Sequence, residues 1–132
     1  MSATDLEAPV NELEASEDAD GTWRTFVNDA LRSDLMPLYA SIDLWVMLRA
    51  PSFDCVFEWR REQERKLAAS TPDNAGSRIM DESALRRFVA HFERLTRHCL
   101  DELPARVDHL YQLDRHRQII EYRHSDVSEV RQ

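Results

Sequence analysis

The residue types best suited to chemistry fall on two stretches with helical spacing. In the first, Phe53, Val56 and Phe57 start an apolar face that continues through Arg60, Gln63 or Glu64 and then Leu67. Polar groups thus occupy the middle of a face that is apolar at both ends. A buried charge is costly unless it is paired or faces a cavity. Either Arg60, Gln63 and Glu64 line a site, or Arg60 and Glu64 form an ordinary exposed i, i+4 ion pair. In the second stretch Arg87, His91, Arg94 and His98 recur at i, i+4, i+7 and i+11, flanked by Arg86 and Arg97. Arginine forks match phosphates and carboxylates. The stripe is either an anion site or a solvated face neutralised by Glu93 and Asp101.

Several other chemistries are excluded. The chain has 2 glycines, Gly21 and Gly76, and its one lysine, Lys66, follows Arg65. Neither the phosphate loop G-x-x-x-x-G-K-[ST] nor the dinucleotide fingerprint G-x-G-x-x-G is present. A G-x-S-x-G nucleophile elbow is ruled out in the same way. The 5 histidines, His91, His98, His109, His116 and His124, include no H-x-x-x-H pair, and no acid completes a zinc set, so no metal is expected. Cys55 and Cys99 give no disulfide framework and read as small buried hydrophobes in a reducing cytosol.

Charge divides the chain. Residues 1–20 carry 7 acids and no base, whereas the whole chain has a net charge of −8, so the body from residue 21 is close to neutral. A near-neutral body is no nucleic-acid-binding surface. The longest apolar run, Leu44 to Leu48, is far too short to span a bilayer, and the acidic start is no signal peptide. A cytoplasmic protein with no membrane partner is expected.

These residues need elements to position them. Residues 1–20 read as an acidic, poorly ordered arm with too few apolar side chains to offset ordering. Trp23, Phe26, Val27, Ala30 and Leu31 open a helix, which Pro37 interrupts. Residues 42–48 read as a strand covered on both faces. Ser52 caps a helix over 52–69, and 71–77 is a loop by composition. Asp81 or Ser83 caps a helix over 83–103, with Leu85, Phe88, Val89, Phe92, Leu95, Cys99 and Leu103 as its core stripe and Pro104 as its stop. Residues 107–113 alternate as a second strand, parallel to the first through the helical crossover. The tail after Ile120 reads as frayed. Two strands alone are marginal, and the chain offers no further strands to flank the doubly covered one, which suggests part of a larger α/β fold.

Two stretches resemble a known family. They are Ala50-Pro51-Ser52-Phe53 with Val56, Glu58-Trp59-Arg60, Gln63-Glu64 and Lys66-Leu67, and then Arg87-Phe88 with His91-Phe92-Glu93-Arg94-Leu95-Thr96-Arg97. Three further pieces agree in order: Pro9 to Glu14 with Glu17-Asp18, Trp23-Arg24 with Val27-Asn28, and Leu113-Asp114 with His116-Arg117. The pattern resembles the C-terminal half of the P-loop glycerate kinases, meaning D-glycerate 3-kinase and its bacterial kinase-like relatives. It covers about residues 8–118, and relatives often have tyrosine where this chain has Phe92.

The resemblance implies that residues 21–132 are the helix-rich C-terminal portion of a three-layer α/β P-loop kinase fold, with 52–69 as a lid-type helix. It implies transfer of the ATP γ-phosphoryl group, with Mg²⁺, to D-glycerate or a similar hydroxy acid. Arg60 and Arg61 would contact ATP phosphates and Arg117 would sit near the adenine. Gln63 and Glu64 would orient Arg60 or the acceptor, and Asn11 to Glu14 would lie near the acceptor. No catalytic residue is assigned, because the family's Walker A loop and acceptor-activating acid lie N-terminal to this part. Such a fragment is expected to be inactive alone and to bind no nucleotide tightly, with the N-terminal kinase half or a homo-oligomer as its partner. One competing reading is a stand-alone interaction or oligomerisation module built on the same fold. Another is an unrelated enzyme using the Arg/His stripe on an anionic metabolite.

Overall fold

The computed structural model describes residues 1–70 and 80–125. Two short helices, α1 (Ala3–Glu7) and α2 (Glu12–Glu17), come first, and α3 (Thr22–Ala30) follows. A π-helical turn, Leu31–Leu35, leads into α4 (Met36–Tyr39), with Pro37 in its first turn, where a missing N–H costs nothing. The strand β1 (Val46–Arg49) precedes the long helix α5 (Phe53–Ser70). Helices α6 (Glu82–Ala90) and α7 (Glu93–Glu102) then lead through a 3₁₀ turn to β2 (His109–Leu113) and β3 (Ile119–His124).

The strands form one mixed sheet in the order β1-β2-β3. Strand β1 is parallel to β2, with Val46 opposite His109 and Arg49 opposite Gln112, as the crossover through α5–α7 requires. Asp108, 7% exposed, fixes that register: its carboxylate accepts the Trp45 N–H at 2.7 Å, and its own N–H donates to the Trp45 carbonyl at 3.1 Å. Strand β3 returns antiparallel on β2, with a one-residue bulge at Ile120, since Gln112 faces Glu121 and Leu113 faces Ile119. The buried apolar side chains are Ala50, Cys55, Leu85, Val89, Val107, Leu110 and Leu113.

The structure differs from the sequence reading in four places. The expected strand 42–48 narrows to Val46–Arg49 and is not covered on both faces: Val46 and Leu48 are 53% and 64% exposed. The polar tail after Ile120 reads as frayed by composition, yet β3 runs to His124, because backbone pairing with β2 and the Tyr111–Tyr122 ring contact at 4.9 Å need no apolar run. The expected helix 83–103 is broken at His91–Phe92, where the Phe92 N–H bonds to the Val89 carbonyl. Within α6 Leu85 and Val89 are inside, whereas Phe88, and Phe92 at the break, are 41% and 51% exposed. Finally, residues 1–20 carry α1 and α2 and are fastened to the body, because Glu17 and Glu14 meet Arg87 and Arg94, distant in sequence. The loop assigned to 71–77 lies outside the described residues. Among those described, no helix is long and apolar enough to cross a membrane.

Candidate functional site

Helix α5 starts at Ser52, whose hydroxyl accepts the Cys55 N–H at 3.4 Å, and Asp54 lies in its first turn. One face of α5 meets the β2–β3 hairpin. That hairpin is organised by Asp114, whose carboxylate accepts the N–H groups of His116 and Gln118 at 2.8 and 2.9 Å. The Arg117 N–H donates to the Asp114 carbonyl at 3.0 Å, and Arg117 itself adopts φ 64°, the left-handed conformation. Trp59 of α5 donates its indole N–H to the Arg115 carbonyl at 2.8 Å, tying helix to hairpin.

Between them lies an open cleft of about 390 Å³ lined by Val56, Trp59, Arg60, Glu62, Gln63, Lys66 and Arg117. The Arg117 guanidinium sits 5.8 Å from the Trp59 ring centre and pairs with Glu62. Lys66 also pairs with Glu62, one helical turn away. The Lys66 ammonium, and then the Arg117 charge, outweigh partial burial and hold the Glu62 carboxyl below its ordinary value. Arg60 donates to Gln63 at 3.1 Å, pairs with Glu64 and lies 5.7 Å from the Phe88 ring centre. Glu64 is 5% exposed and also accepts the Met80 N–H at 3.3 Å, so the buried carboxylate is satisfied.

Of the residues singled out by sequence, Arg60, Gln63 and Arg117 therefore share one cleft. Glu64 stands behind it as the partner of Arg60. Arg61 points elsewhere, paired with Glu58 on the exposed side of α5. Asn11 and Glu14 belong to a second region. Asn11 caps α2 and donates to the Ala90 carbonyl and to Glu93 at 2.9 and 3.1 Å. Glu14 accepts the Val10 N–H at 2.9 Å and pairs with Arg94. A second cleft, of about 330 Å³, is lined there by residues that include Glu14, Asp18, Trp23, Arg24, His91 and Arg94.

The Arg/His stripe thus faces the N-terminal segment. Arg87 is bidentate to Glu17, and Arg94 adds the carbonyls of Asp5 and Ala8 to its pairing with Glu14. Across the cleft Arg24, 5% exposed, pairs with Asp18 and donates to the Leu6 and Glu7 carbonyls. Gly21, at φ 75°, has a further reason to be glycine, since a Cβ there would come within 3.0 Å of the Arg24 guanidinium.

Sequence reasoning missed Trp59, Glu62 and Lys66 as cleft residues. Val56, Trp59, Gln63 and Lys66 share an α5 face by spacing, and the Glu62–Lys66 pair has i, i+4 spacing, so the signal was present. Its meaning depended on the hairpin, which the sequence did not announce. Among the described residues no group of three or more His, Cys, Asp or Glu side chains is arranged to hold a metal ion.

Parallel strands joined through a helical crossover make this an α/β fold, with the α5 cleft where the crossover's first helix meets the hairpin. The chain is similar in structure to D-glycerate 3-kinase from Cryptococcus neoformans var. grubii, with a TM-score of 0.56 and 17% identity over 92% of this chain. The match takes in 47% of that kinase, so this chain spans about half its length. At this identity the likeness speaks for the fold. No protein-family model matches the chain, and no curated protein matches it.

Proposed function

We propose that the chain is the C-terminal half of an ATP-dependent small-molecule kinase acting on D-glycerate or a similar hydroxy acid, and that it is inactive alone. The observation that carries this reading is the fold likeness to a D-glycerate 3-kinase over 92% of the chain. Phosphoryl transfer depends on positioning and on cations around the transferred group, supplied in P-loop enzymes by the loop, its lysine and Mg²⁺. The 132 residues hold no G-x-x-x-x-G-K-[ST] sequence, so this part contributes other groups. Arg60 and Arg117 face the ATP phosphates and adenine side from the α5 cleft. Gln63 and Glu64 fix Arg60, and Asn11 and Glu14 serve the acceptor side. Arg61 is the weakest member of the set, since it is paired away from the cleft.

The deciding experiment is to sequence the DNA upstream of Met1 and assay the resulting protein with ATP and D-glycerate. An in-frame or single-frameshift P-loop, with ADP released only in the presence of a hydroxy acid, supports the reading. A stop codon with no such loop nearby overturns it.

One observation favours a second reading, an interaction module. Leu44, Val46, Leu48 and Tyr122 are each more than half exposed on or beside the sheet, and apolar patches of this kind mark interfaces. Sedimentation of the chain with and without Leu48→Lys tests it: a defined oligomer that the variant dissolves is the expected result for such a module, and a monomer in both removes it.

A further inference from the structure

We propose that the cleft between α5 and the β2–β3 hairpin is a polyphosphate site with a built-in competitor. The Glu62 carboxylate occupies Lys66 and Arg117 until a polyphosphate ligand takes both cations from it. This rests on the kinase reading only for the identity of the natural ligand, a nucleoside triphosphate, and moves Arg117 from the adenine side of that reading to the phosphates.

The charge arrangement is the first support. In a chain of net charge −8, the cleft gathers Arg60, Lys66 and Arg117 around one lining acid, Glu62. Arg60 is already matched by the buried Glu64, whereas Glu62 is shared between two cations. One carboxylate cannot neutralise both, so the cleft keeps an unmet demand for negative charge. A phosphate chain carries more charge and more acceptor oxygens than one carboxylate, and arginine forks are shaped for it.

Exchange is also cheap. The side chains of Lys66, Arg117 and Glu62 are 70%, 45% and 29% exposed, and exposed ion pairs add little stability. Releasing Glu62 does not loosen the cleft, because the Trp59 indole holds the hairpin at Arg115 by a separate hydrogen bond.

The conformation of Arg117 is independent of both arguments. Its φ of 64° lies where a residue with a Cβ is disfavoured and glycine is free. The turn itself is built by backbone groups and Asp114, so glycine would make it equally well. What glycine would not supply is the guanidinium over Trp59, facing Glu62. Strained backbone persists where the side chain it presents is needed.

The test is calorimetric titration of the whole chain with sodium tripolyphosphate and, separately, with ATP, at low fixed ionic strength. Saturable binding is expected. Arg117→Gly, which suits the left-handed turn and so preserves the fold, should weaken tripolyphosphate binding about tenfold, the weight of a charge-assisted hydrogen bond. Glu62→Gln should tighten it about fivefold by removing the internal pairings. Binding seen only with Glu62→Gln also supports the proposal. No binding by either form overturns it, as does binding that neither substitution changes. ATP binding more tightly than tripolyphosphate marks a nucleotide site, and equal affinities mark a site for the phosphate chain alone. Binding that follows both substitutions, in a protein whose longer form turns over no ATP, removes the kinase reading and keeps the cleft. Turnover by a longer form with an unresponsive cleft does the reverse.

Discussion

Glu14 and Arg94 lie 80 residues apart in the chain and meet at 2.9 Å between Nε of the arginine and the carboxylate. Both side chains are largely buried. The same arginine collects the carbonyls of Asp5 and Ala8, so one side chain closes the loop between α1 and α2 and docks it on α7. Glu17 with Arg87 and Asp18 with Arg24 extend the pattern. The acidity of residues 1–20 is thus partly consumed inside the protein, where it matches arginines of α3, α6 and α7.

Arg94→Ala should therefore cost stability well beyond a surface change. It leaves Glu14 largely buried and without its cation, for an expected loss of about 2–3 kcal/mol. Arg86→Ala removes an exposed i, i+4 pair with Glu82 and a guanidinium 4.7 Å from the Phe57 ring centre, and should cost about 1 kcal/mol or less. Urea denaturation of the two variants checks the contrast, and equal losses would show that the N-terminal segment is not held by Arg94.

The same contacts set the response to acid. Burial pushes both carboxyls up, but at Asp18 the N–H groups of Trp23 and Arg24 with the Arg24 guanidinium, and at Glu14 the Arg94 guanidinium with the Val10 N–H, outweigh it and hold both below the ordinary range. A carboxyl with a depressed folded value binds fewer protons folded than unfolded. Its contribution is full above the unfolded value and is lost as pH falls through the folded one. Stability should fall from about pH 5 downward, where ordinary carboxyls begin to take up protons. Asp18→Asn should lower stability at neutral pH and flatten that fall. An unchanged acid slope in Asp18→Asn would remove Asp18 from the account.

Local patterns in the sequence carried far. The parallel pairing of β1 and β2, the extent of α5 and the gathering of Arg60 and Gln63 on one face follow from spacing and cap chemistry, and of the two caps the sequence offers for α6, Asp81 and Ser83, the structure uses Asp81. What was not legible depended on partners distant in the chain. No local rule marks Glu14 for Arg94 or Arg117 for Glu62. Strand β3 opens with Ile119 and Ile120, but all six of its positions are exposed and Glu121 and Arg123 interrupt the run, so no alternation of buried and solvated positions marks it. The stripe of Arg87, His91, Arg94 and His98 reads as a solvated face ahead of an anion site. The structure gives it a third role, receiving the N-terminal acids.

The apolar stripe that periodicity puts in one core divides within α6 itself. Leu85 is 1% exposed, whereas Phe88 is 41% exposed and rests on Phe92 with ring centres 5.2 Å apart. Leu85→Ala should cost about 3–4 kcal/mol, as for a closed core site. Phe88→Ala should cost only about 1 kcal/mol, the weight of a half-exposed aromatic pair. Denaturant midpoints decide the order, and a Phe88→Ala loss matching that of Leu85→Ala would return Phe88 to the core.

Arg60 has a structural duty that must be separated from any chemical one. Glu64 is 5% exposed, and Arg60 is its cation. Arg60→Ala strands a buried carboxylate, an error that typically costs about 3 kcal/mol or more. Adding Glu64→Gln removes the stranded charge while keeping an acceptor for the Met80 N–H, so the double variant should recover most of the lost stability. That recovery gives a clean background for function. If Arg60 stabilises a transferring phosphoryl group in a catalytically competent longer form, turnover of the double variant should remain about 10²-fold or more below wild type. Stability that returns together with turnover would leave Arg60 only the role of neutralising Glu64, and stability that does not return would show that the Arg60 stem, packed against Phe88, matters more than its charge.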